Sequence, residues 1–581
     1  MMKEQWMVYT KKADFEGIAK QFGISPVTAR ILRNRDVEGE EAIRLFLDGE
    51  LKDCPEPYRM KDMEKAADIL LDKLLQEKPI RIIGDYDVDG VCATYILYKG
   101  LKRLSAKVDY DIPHRIKDGY GINQELIKKA WEEDIDTILT CDNGISAREQ
   151  IAYARSLEMT VIVTDHHDVP FLETAEGRIE QLPPADAIIN PKQRACGYPF
   201  KGLCGAAVAY KLIRYLFDRT GVHGEELSPF IEAAALATVG DVMSLQGENR
   251  ILVKEGLKRM ANSRIVGLRQ LIAVSGVDPH ALSAYHLGFV IGPCLNAGGR
   301  LDTAKKALEL FLSEDEAEAG RLALELKELN DIRKEMTLHG VEQAEEFLQS
   351  EGMMDLPVYV IYLPDCHESL AGIIAGRIRE KYNHPVFILT DGEHMVKGSG
   401  RSIEGYHMYE ALVECQDLLE NFGGHPMAAG LSLRRENVEM FRNRLNGRAK
   451  LTEADFIPKR WIDVPLPFSH VSEALVEELA RLEPFGNGNP KPAFAQKDLR
   501  IRRLDTLGKT GNVVKMTLVD ASGRAMEAVM FNGGDELKAQ LQERYGGKIE
   551  CASLNVIYAL GINEFNGVRS LQLTIQHWEL K

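Results

Sequence analysis

Three short runs in this chain have residue types and spacing suited to holding cations. Asp85-Tyr86-Asp87-Val88-Asp89-Gly90 sets three carboxylates at alternate positions. Cys141-Asp142-Asn143-Gly144 and Asp165-His166-His167 add two carboxylates and two imidazoles. A later Asp241 ends the helical run Ala237-Thr238-Val239-Gly240-Asp241 and can join them. Carboxylates gathered in one cleft repel each other and raise each other's pKa unless cations sit between them. Oxygen ligands with an imidazole suit Mg2+ or Mn2+ better than Zn2+. Two such ions about 4 Å apart can activate a water and stabilise the leaving oxygen of a phosphoryl centre. The first run also resembles the start of a calcium-binding EF-hand loop. That loop needs a Glu at its twelfth position and a helix before it. Here the twelfth position is Ile96 and an apolar, strand-like run precedes, which argues against an EF-hand.

Each of the three runs follows a short apolar segment: Ile80–Ile83, 137–140 and 160–163. With 108–112 and Ala187–Ile189 these make five expected strands. Helical patterns over 91–102, 124–131 and 146–157 lie between them. That alternation predicts an α/β domain built on a mostly parallel sheet. In open α/β sheets ligands bind at the carboxyl ends of the strands. Asp85, Asp87, Asp89, Asp142, Asp165, His166 and His167 are therefore expected along one edge.

The remainder reads as further domains. Residues 202–310 are dominated by helical periodicity. A long charged helix is expected over about 314–349, with Leu322, Leu326, Leu329, Ile332 and Met336 on one face. A second α/β unit follows from about 356 to 445, and short alternating strands after 455 suggest a small β-barrel. The expected division is an N-terminal helical segment (1–54), a catalytic α/β domain (55–312), a connecting helix (313–352), a second α/β domain (353–450) and the barrel (451–581).

The net charge of −16 over 581 residues argues against indiscriminate nucleic-acid binding unless basic residues cluster locally. One such run is Lys497, Arg500, Arg502, Arg503, Lys509 and Lys515, against only Asp498 and Asp505. In a barrel of the oligonucleotide-binding type, basic grooves and aromatic rings hold single strands. The nine cysteines are odd in number and contain no CxxC pair, which disfavours a disulfide framework or a zinc knuckle. No signal-peptide pattern and no apolar stretch of membrane-spanning length are visible. A cytoplasmic chain without a membrane partner is expected.

DYDVDG, CDNG and TDHH, in this order, resemble the first motifs of the DHH phosphoesterase superfamily, named for the triplet Asp165-His166-His167. IPHRIKDGYG (112–121), GLCGAAVAYKL (202–212), ATVGDVMSL (237–245) and GPCLNAGGRL (292–301) look like its RecJ branch. SGRS (399–402) and GGHPMAAG (423–430) resemble the DHH-associated domain, and EPFGNGNP (483–490) the opening of the RecJ oligonucleotide-binding (OB) barrel. The resemblance implies that Asp85, Asp87, Asp89, Asp142, His166 and Asp241 hold two Mn2+ or Mg2+ ions. Asp142, His166 and His167 would carry the catalysis, with His167 behind the metal ligands or facing the scissile phosphate. Many relatives have a histidine where this chain has Ile83, so one metal site would be reshaped. Arg115, Arg300, Arg401 and Ser402 would bind a 5′ phosphate, and His425 a substrate phosphate. The implied activity is hydrolysis of single-stranded DNA from the 5′ end to 5′ mononucleotides, in DNA repair and recombination. The strand would thread between the α/β domains and along the barrel. A single-strand-binding protein and a RecQ-type helicase are the implied partners. The alternatives are a phosphodiesterase of short oligonucleotides or cyclic dinucleotides, and a non-catalytic DNA-binding scaffold.

Overall fold

A computed structural model of the chain describes residues 4–116, 118–174, 177–222, 224–507, 513–565 and 567–581. It divides into two compact units. One comprises Cys54–Met243 and Leu252–Ile457; the other comprises Met1–Asp53, Ser244–Ile251 and Pro458–Lys581.

The first unit holds two sheets. Strands β1 (Ile80–Ile83), β2 (Val108–Asp111), β3 (Thr137–Cys141), β4 (Thr160–Thr164) and β5 (Ala187–Ile189) are all parallel, in the order 2-1-3-4-5. Every residue of β1, β3 and β5 is buried. This is why they read as continuous apolar runs: a parallel sheet is covered on both faces. Helix α1 (Val88–Arg103) follows β1 and packs against α2 (Gly205–Thr220) and α3 (Ser228–Gly240). The strand order reverses between β1 and β3. Chains leaving those two strands turn to opposite sides and open a crevice between them. One element has no counterpart in the sequence pattern. Phe171–Thr174 and Gly177–Glu180 form a hairpin between β4 and β5, and nearly all of it is exposed, so no buried face imposes a period.

A helical rod ends in α4 (Gly292–Leu301), and the long helix α5 (Glu316–Ser350) leads to the second sheet. Asp315 caps α5, accepting the Glu318 amide at 2.8 Å. The expected apolar face of α5 holds only in its first half. Leu322 and Leu326 are buried, while Ile332 and Met336 are exposed. The second half buries Thr337, Gly340, Ala344 and Leu348 instead. There the neighbour is α6 (Ala371–Tyr382), which comes so close that a Cβ on Gly340 would lie 2.4 Å from Ile374. Small residues, rather than large apolar ones, permit that approach. The second sheet contains β6 (Tyr359–Tyr362), β7 (Val386–Asp391), β8 (Val396–Arg401), β9 (Leu419–His425) and β10 (Ala428–Leu433), in the order 9-10-8-7-6. Only β6 and β7 pair in parallel; the other pairs are antiparallel.

The second unit is built around a closed barrel of β11 (Phe494–Leu507), β12 (Val513–Val519), β13 (Ala525–Met530), β14 (Ser553–Phe565) and β15 (Val568–Leu580). β11 pairs with both β12 and β14, which closes the five strands into a ring. The N-terminal residues fold with it: Gln5–Val8 pairs in parallel with Lys459–Ile462, and Ile31, Leu32 and Phe46 share its core. In β11, Arg500 and Arg502 alternate with the buried Leu499 and Ile501, and a bulge after Ile501 turns Arg503 outward too. Arg503 pairs with Asp505 and Lys515 with Glu527. Lys509 lies outside the described residues.

Candidate metal centre

The crevice between β1 and β3 is filled with acid. Asp85 follows β1 within two residues, and its neighbour Asp87 caps α1, accepting the amides of Asp89 (2.9 Å) and Gly90 (3.1 Å). Asp89 lies one residue inside that helix and points across to the start of α2. There its two oxygens accept the amides of Gly205 (2.6 Å) and Ala206 (2.7 Å). A helix N-terminus carries unsatisfied N–H groups and partial positive charge, so it suits a carboxylate. Gly205 must be glycine: a Cβ there would lie 2.7 Å from that of Asp142.

Asp142 follows β3 with φ +60°, the left-handed region that non-glycine residues rarely adopt. Asn143 holds the turn by donating to the carbonyls of Ile83 (3.1 Å) and Cys141 (2.9 Å). The turn sets Asp142 Oδ1 3.1 Å from His166 Nε2, at the end of β4. His166 Nε2 also lies 3.6 Å from Asp89 Oδ2 and 3.7 Å from Asp241 Oδ2. Asp241 caps the carboxyl end of α3. Three overlapping groups result, each with its ligand atoms within 4.8 Å of one another: Asp85, Asp87 and Asp142; Asp89, His166 and Asp241; Asp142, His166 and His167.

Asp165 is turned away from these groups. Its Oδ1 accepts the amides of His166 (2.7 Å) and His167 (3.1 Å), and its Oδ2 accepts that of Ile145 (2.9 Å). Oδ1 also lies 2.8 Å from His167 Nδ1. Asp165 therefore organises the histidines.

The electrostatics fit a site built for cations. Asp85 Oδ1, Asp142 Oδ1 and His166 Nδ1 are buried without a hydrogen-bond partner among the described residues. Burial first, and then the charges of Asp89, Asp87 and Asp85, push the Asp142 carboxyl well above the usual range. Burial and Asp87 do the same to Asp85, and burial with Asp89 and Asp87 lifts Asp241 to about 8. Burial alone would lower the His167 imidazole. Its hydrogen bond to Asp165 and the surrounding carboxylates outweigh burial and raise it to about 9. Burial lowers His166, which keeps it neutral and able to ligate. Orphaned carboxylate oxygens beside a neutral imidazole are a donor set for hard divalent cations. Ile83 lies in an apolar cluster with Ile122, Ile127 and Ile138, so the Asp85, Asp87 and Asp142 group contains no imidazole.

A second feature is positive. Arg115 lies 4.6 Å over the ring of Tyr86, next to Asp85 and Asp87. Arg300, at the end of α4, donates to the carbonyl of Ser369 at 2.6 Å. Burial, then the charges of Arg115 and Arg333, lower Arg300 to about 10. Arg401, at the end of β8, donates to its neighbour's carbonyl at Gly400 (2.7 Å). A Cβ on Gly372 would lie 2.9 Å from its Nη2. Arg300 and Arg401 thus reach the residues that open α6, and neither has an acidic partner among the described residues. Ser402 does not join them. It is buried and donates to the Tyr406 carbonyl at 2.6 Å. Ser399 lies beside Arg401 instead, with Oγ 3.4 Å from Nη1. His425 is exposed at the end of β9, where its Nδ1 accepts the Met427 amide at 3.3 Å.

Comparison with known proteins gives this arrangement its place. The DHH family, N-terminal domain, matches residues 79–239, the DHHA1 domain 355–451 and the RecJ OB domain 462–577. The class is thus that of the DHH phosphoesterases. The single-stranded-DNA-specific exonuclease RecJ of Bacillus subtilis (strain 168) is 35% identical over 100% of this chain and 72% of its own length. That of Escherichia coli (strain K12) is 32% identical over 99% of each chain. The crystal structure of RecJ from Thermus thermophilus in complex with Mn2+ superposes with a TM-score of 0.82 at 29% identity, covering 99% of this chain and 79% of its own; a Mg2+ complex gives 0.77. The chain belongs to the RecJ family.

Proposed function

We propose that this chain is an exonuclease that hydrolyses single-stranded DNA from the 5′ end, releasing 5′ mononucleotides. The observation that carries the reading is the buried acidic cluster with orphaned oxygens at Asp85 and Asp142, next to arginines that have no acidic partner among the described residues. The Asp85, Asp87 and Asp142 group and the Asp89, His166 and Asp241 group would each hold one divalent ion, Mn2+ or Mg2+. Such ions lower the pKa of a bound water and neutralise charge on phosphate oxygens. Asp142 and His166 stand between the two groups. Asp165 holds His167 protonated, so its other ring nitrogen can donate to a phosphate or leaving oxygen. Arg115, Arg300 and Arg401, with Ser399, fit a terminal 5′ phosphate: guanidinium forks match phosphate oxygens, and the start of α6 adds positive potential. Ser402 would brace the loop behind them. His425 is accessible to a strand lying over β9 and β10. A 5′ phosphate held at one end fixes the polarity.

Among the described residues no helix is long and apolar enough to cross a membrane. All nine cysteines are free, which fits a reducing, cytoplasmic setting. An enzyme that consumes unpaired strands needs them supplied and kept open. A RecQ-type helicase and a single-strand-binding protein fit that need in repair and recombination. The test is digestion of 3′-labelled single-stranded DNA with Mn2+ or Mg2+, beside an Asp142→Ala control. A ladder shortening from the 5′ end with a dead variant supports the proposal. Cleavage confined to di- and trinucleotides would replace it with a small-substrate phosphodiesterase.

A further inference from the structure

We propose that the cleft lined by the N-terminal strand and the end of the last barrel strand is a docking groove for an extended peptide segment of a partner protein. The segment would pair as an added strand with Trp6 and Val8. The inference goes beyond the nuclease reading and does not depend on it.

The strand Gln5–Val8 has one partner. It pairs in parallel with Lys459–Ile462, in a sheet of two strands. The Gln5 amide donates to the Pro458 carbonyl at 2.9 Å, and the Tyr9 amide to the Ile462 carbonyl at 3.1 Å. Backbone polar groups of successive residues in a strand point to opposite edges. Gln5, Met7 and Tyr9 therefore serve the ladder, while Trp6 and Val8 face outward. Their N–H and C=O groups have no partner among the described residues. Sheet edges are commonly guarded by charged side chains or proline. Gln5-Trp6-Met7-Val8 contains neither.

The outward edge opens on space. Trp6 and Val8 line a cleft of about 1170 Å³, and Pro465, Leu466 and Pro467 give it apolar surface. The end of β15 lines it too. There Leu554 pairs with Leu580 and the Lys581 amide donates to the Ser553 carbonyl at 2.9 Å, so the polar groups of Trp578 and Leu580 turn away from β14. Arg544 already takes the Leu580 carbonyl, at 2.9 Å. Small-molecule pockets run to roughly 1,000 Å³, and this cleft is larger. Charge does not select its occupant. Lys497 and Arg544 are offset by Glu543 and Glu579, and Glu4 is held by Arg460 (2.7 Å) and His577 (3.0 Å). A polyanion such as nucleic acid meets no excess of positive charge there. What the cleft offers is an unpaired strand edge beside apolar surface. An extended peptide matches both: its main chain bonds the edge, and its alternate side chains fill the apolar space.

The test uses the full chain, with phage-displayed octapeptides of random sequence as the probe. Selection should enrich sequences with apolar residues at alternate positions, and a fluorescein-labelled member should bind by anisotropy. N-methylation of that peptide at one set of alternate positions should weaken binding about tenfold, and at the other set should leave it unchanged. Val8→Pro removes one outward N–H and no ladder bond, and proline is tolerated on a sheet edge. The variant should melt like the parent and bind the peptide about tenfold more weakly, while Val8→Thr, which keeps the N–H, binds normally. Bound peptide should also slow hydrogen exchange across Gln5–Val8. No enrichment over an unrelated control protein, equal binding to Val8→Pro, or unchanged exchange in that strand would overturn the proposal. So would protection of the same strand by single-stranded DNA alone, which would make the cleft part of the nucleic-acid path. Protection by self-association would also overturn it, by seating a second copy of this chain there.

Discussion

Both compact units bury charge, and they do so in opposite ways. In the barrel unit, Arg35 donates through both terminal nitrogens to Asp463, at 2.6 and 2.9 Å. Asp463 also accepts from Asn34 and from the Ala493 amide. Arg250 is fully buried, yet it donates to the carbonyls of Phe46, Leu482, Arg481 and Glu483. Arg35 thus meets an opposite charge within the chain, and Arg250 is met by four backbone carbonyls. In the α/β unit, Asp85, Asp89 and Asp142 are buried together with the same sign, and Asp85 Oδ1 and Asp142 Oδ1 have no hydrogen-bond partner among the described residues. A buried charge met by acceptors within the chain holds a fold together. A buried cluster of one sign, left incomplete by the chain, is built for something that arrives from outside.

The largest expected effect breaks the acidic cluster. Asp142→Ala should abolish DNA hydrolysis, by about a thousandfold or more. The same change should raise the melting temperature of the metal-free protein, because it removes one of the repelling carboxylates. Melting in EDTA beside a nuclease assay checks both halves. The opposite pattern is expected in the barrel unit. Asp463→Ala leaves Arg35 buried and unpaired and should cost about 3–5 kcal/mol of that unit's stability, read by denaturant titration. Mn2+ affinity should not change.

How legible these two regions are in the sequence differs for physical reasons. The strands β1, β3 and β4 announce themselves as buried apolar runs, and the acids at their ends follow from the rule that places ligands at strand termini. The role of Asp165 is not legible: its type matches that of a ligand, and only the fold shows its oxygens taken by three backbone amides. The amides that hold Asp89 come from Gly205 and Ala206, far along the chain, and no local spacing signals them. Ser399 has a signal in the period of two along β8, which puts it on the face of Arg401 and sends Ser402 the other way. The Arg35 and Asp463 pair joins residues from opposite ends of the chain, which no local pattern connects.

Two smaller effects sharpen the contrast. Asp165→Asn keeps the shape of the site and weakens the hold on both histidines. It should lower metal affinity or activity about 10- to 100-fold, measured by calorimetry and by kinetics. The pH dependence follows from Asp241, which burial and its acidic neighbours lift to about 8. A carboxyl raised in the folded state contributes stability that is complete below its unfolded pKa and is lost as pH rises through the folded one. Metal-free protein should therefore melt lower as pH climbs from about 5 to about 8, and less steeply in Asp241→Asn. The gain from added Mn2+ should grow over the same range, because the ion displaces protons.

The most direct test of the central claim is the stoichiometry of Mn2+ on the intact chain, by titration calorimetry with electron paramagnetic resonance to report coupling between ions. Two bound ions per chain, magnetically coupled and reduced in number or affinity by Asp142→Ala, are expected if the two groups meet at Asp142 and His166. No binding, or a single ion indifferent to Asp142, would contradict a two-metal centre at the crevice between β1 and β3.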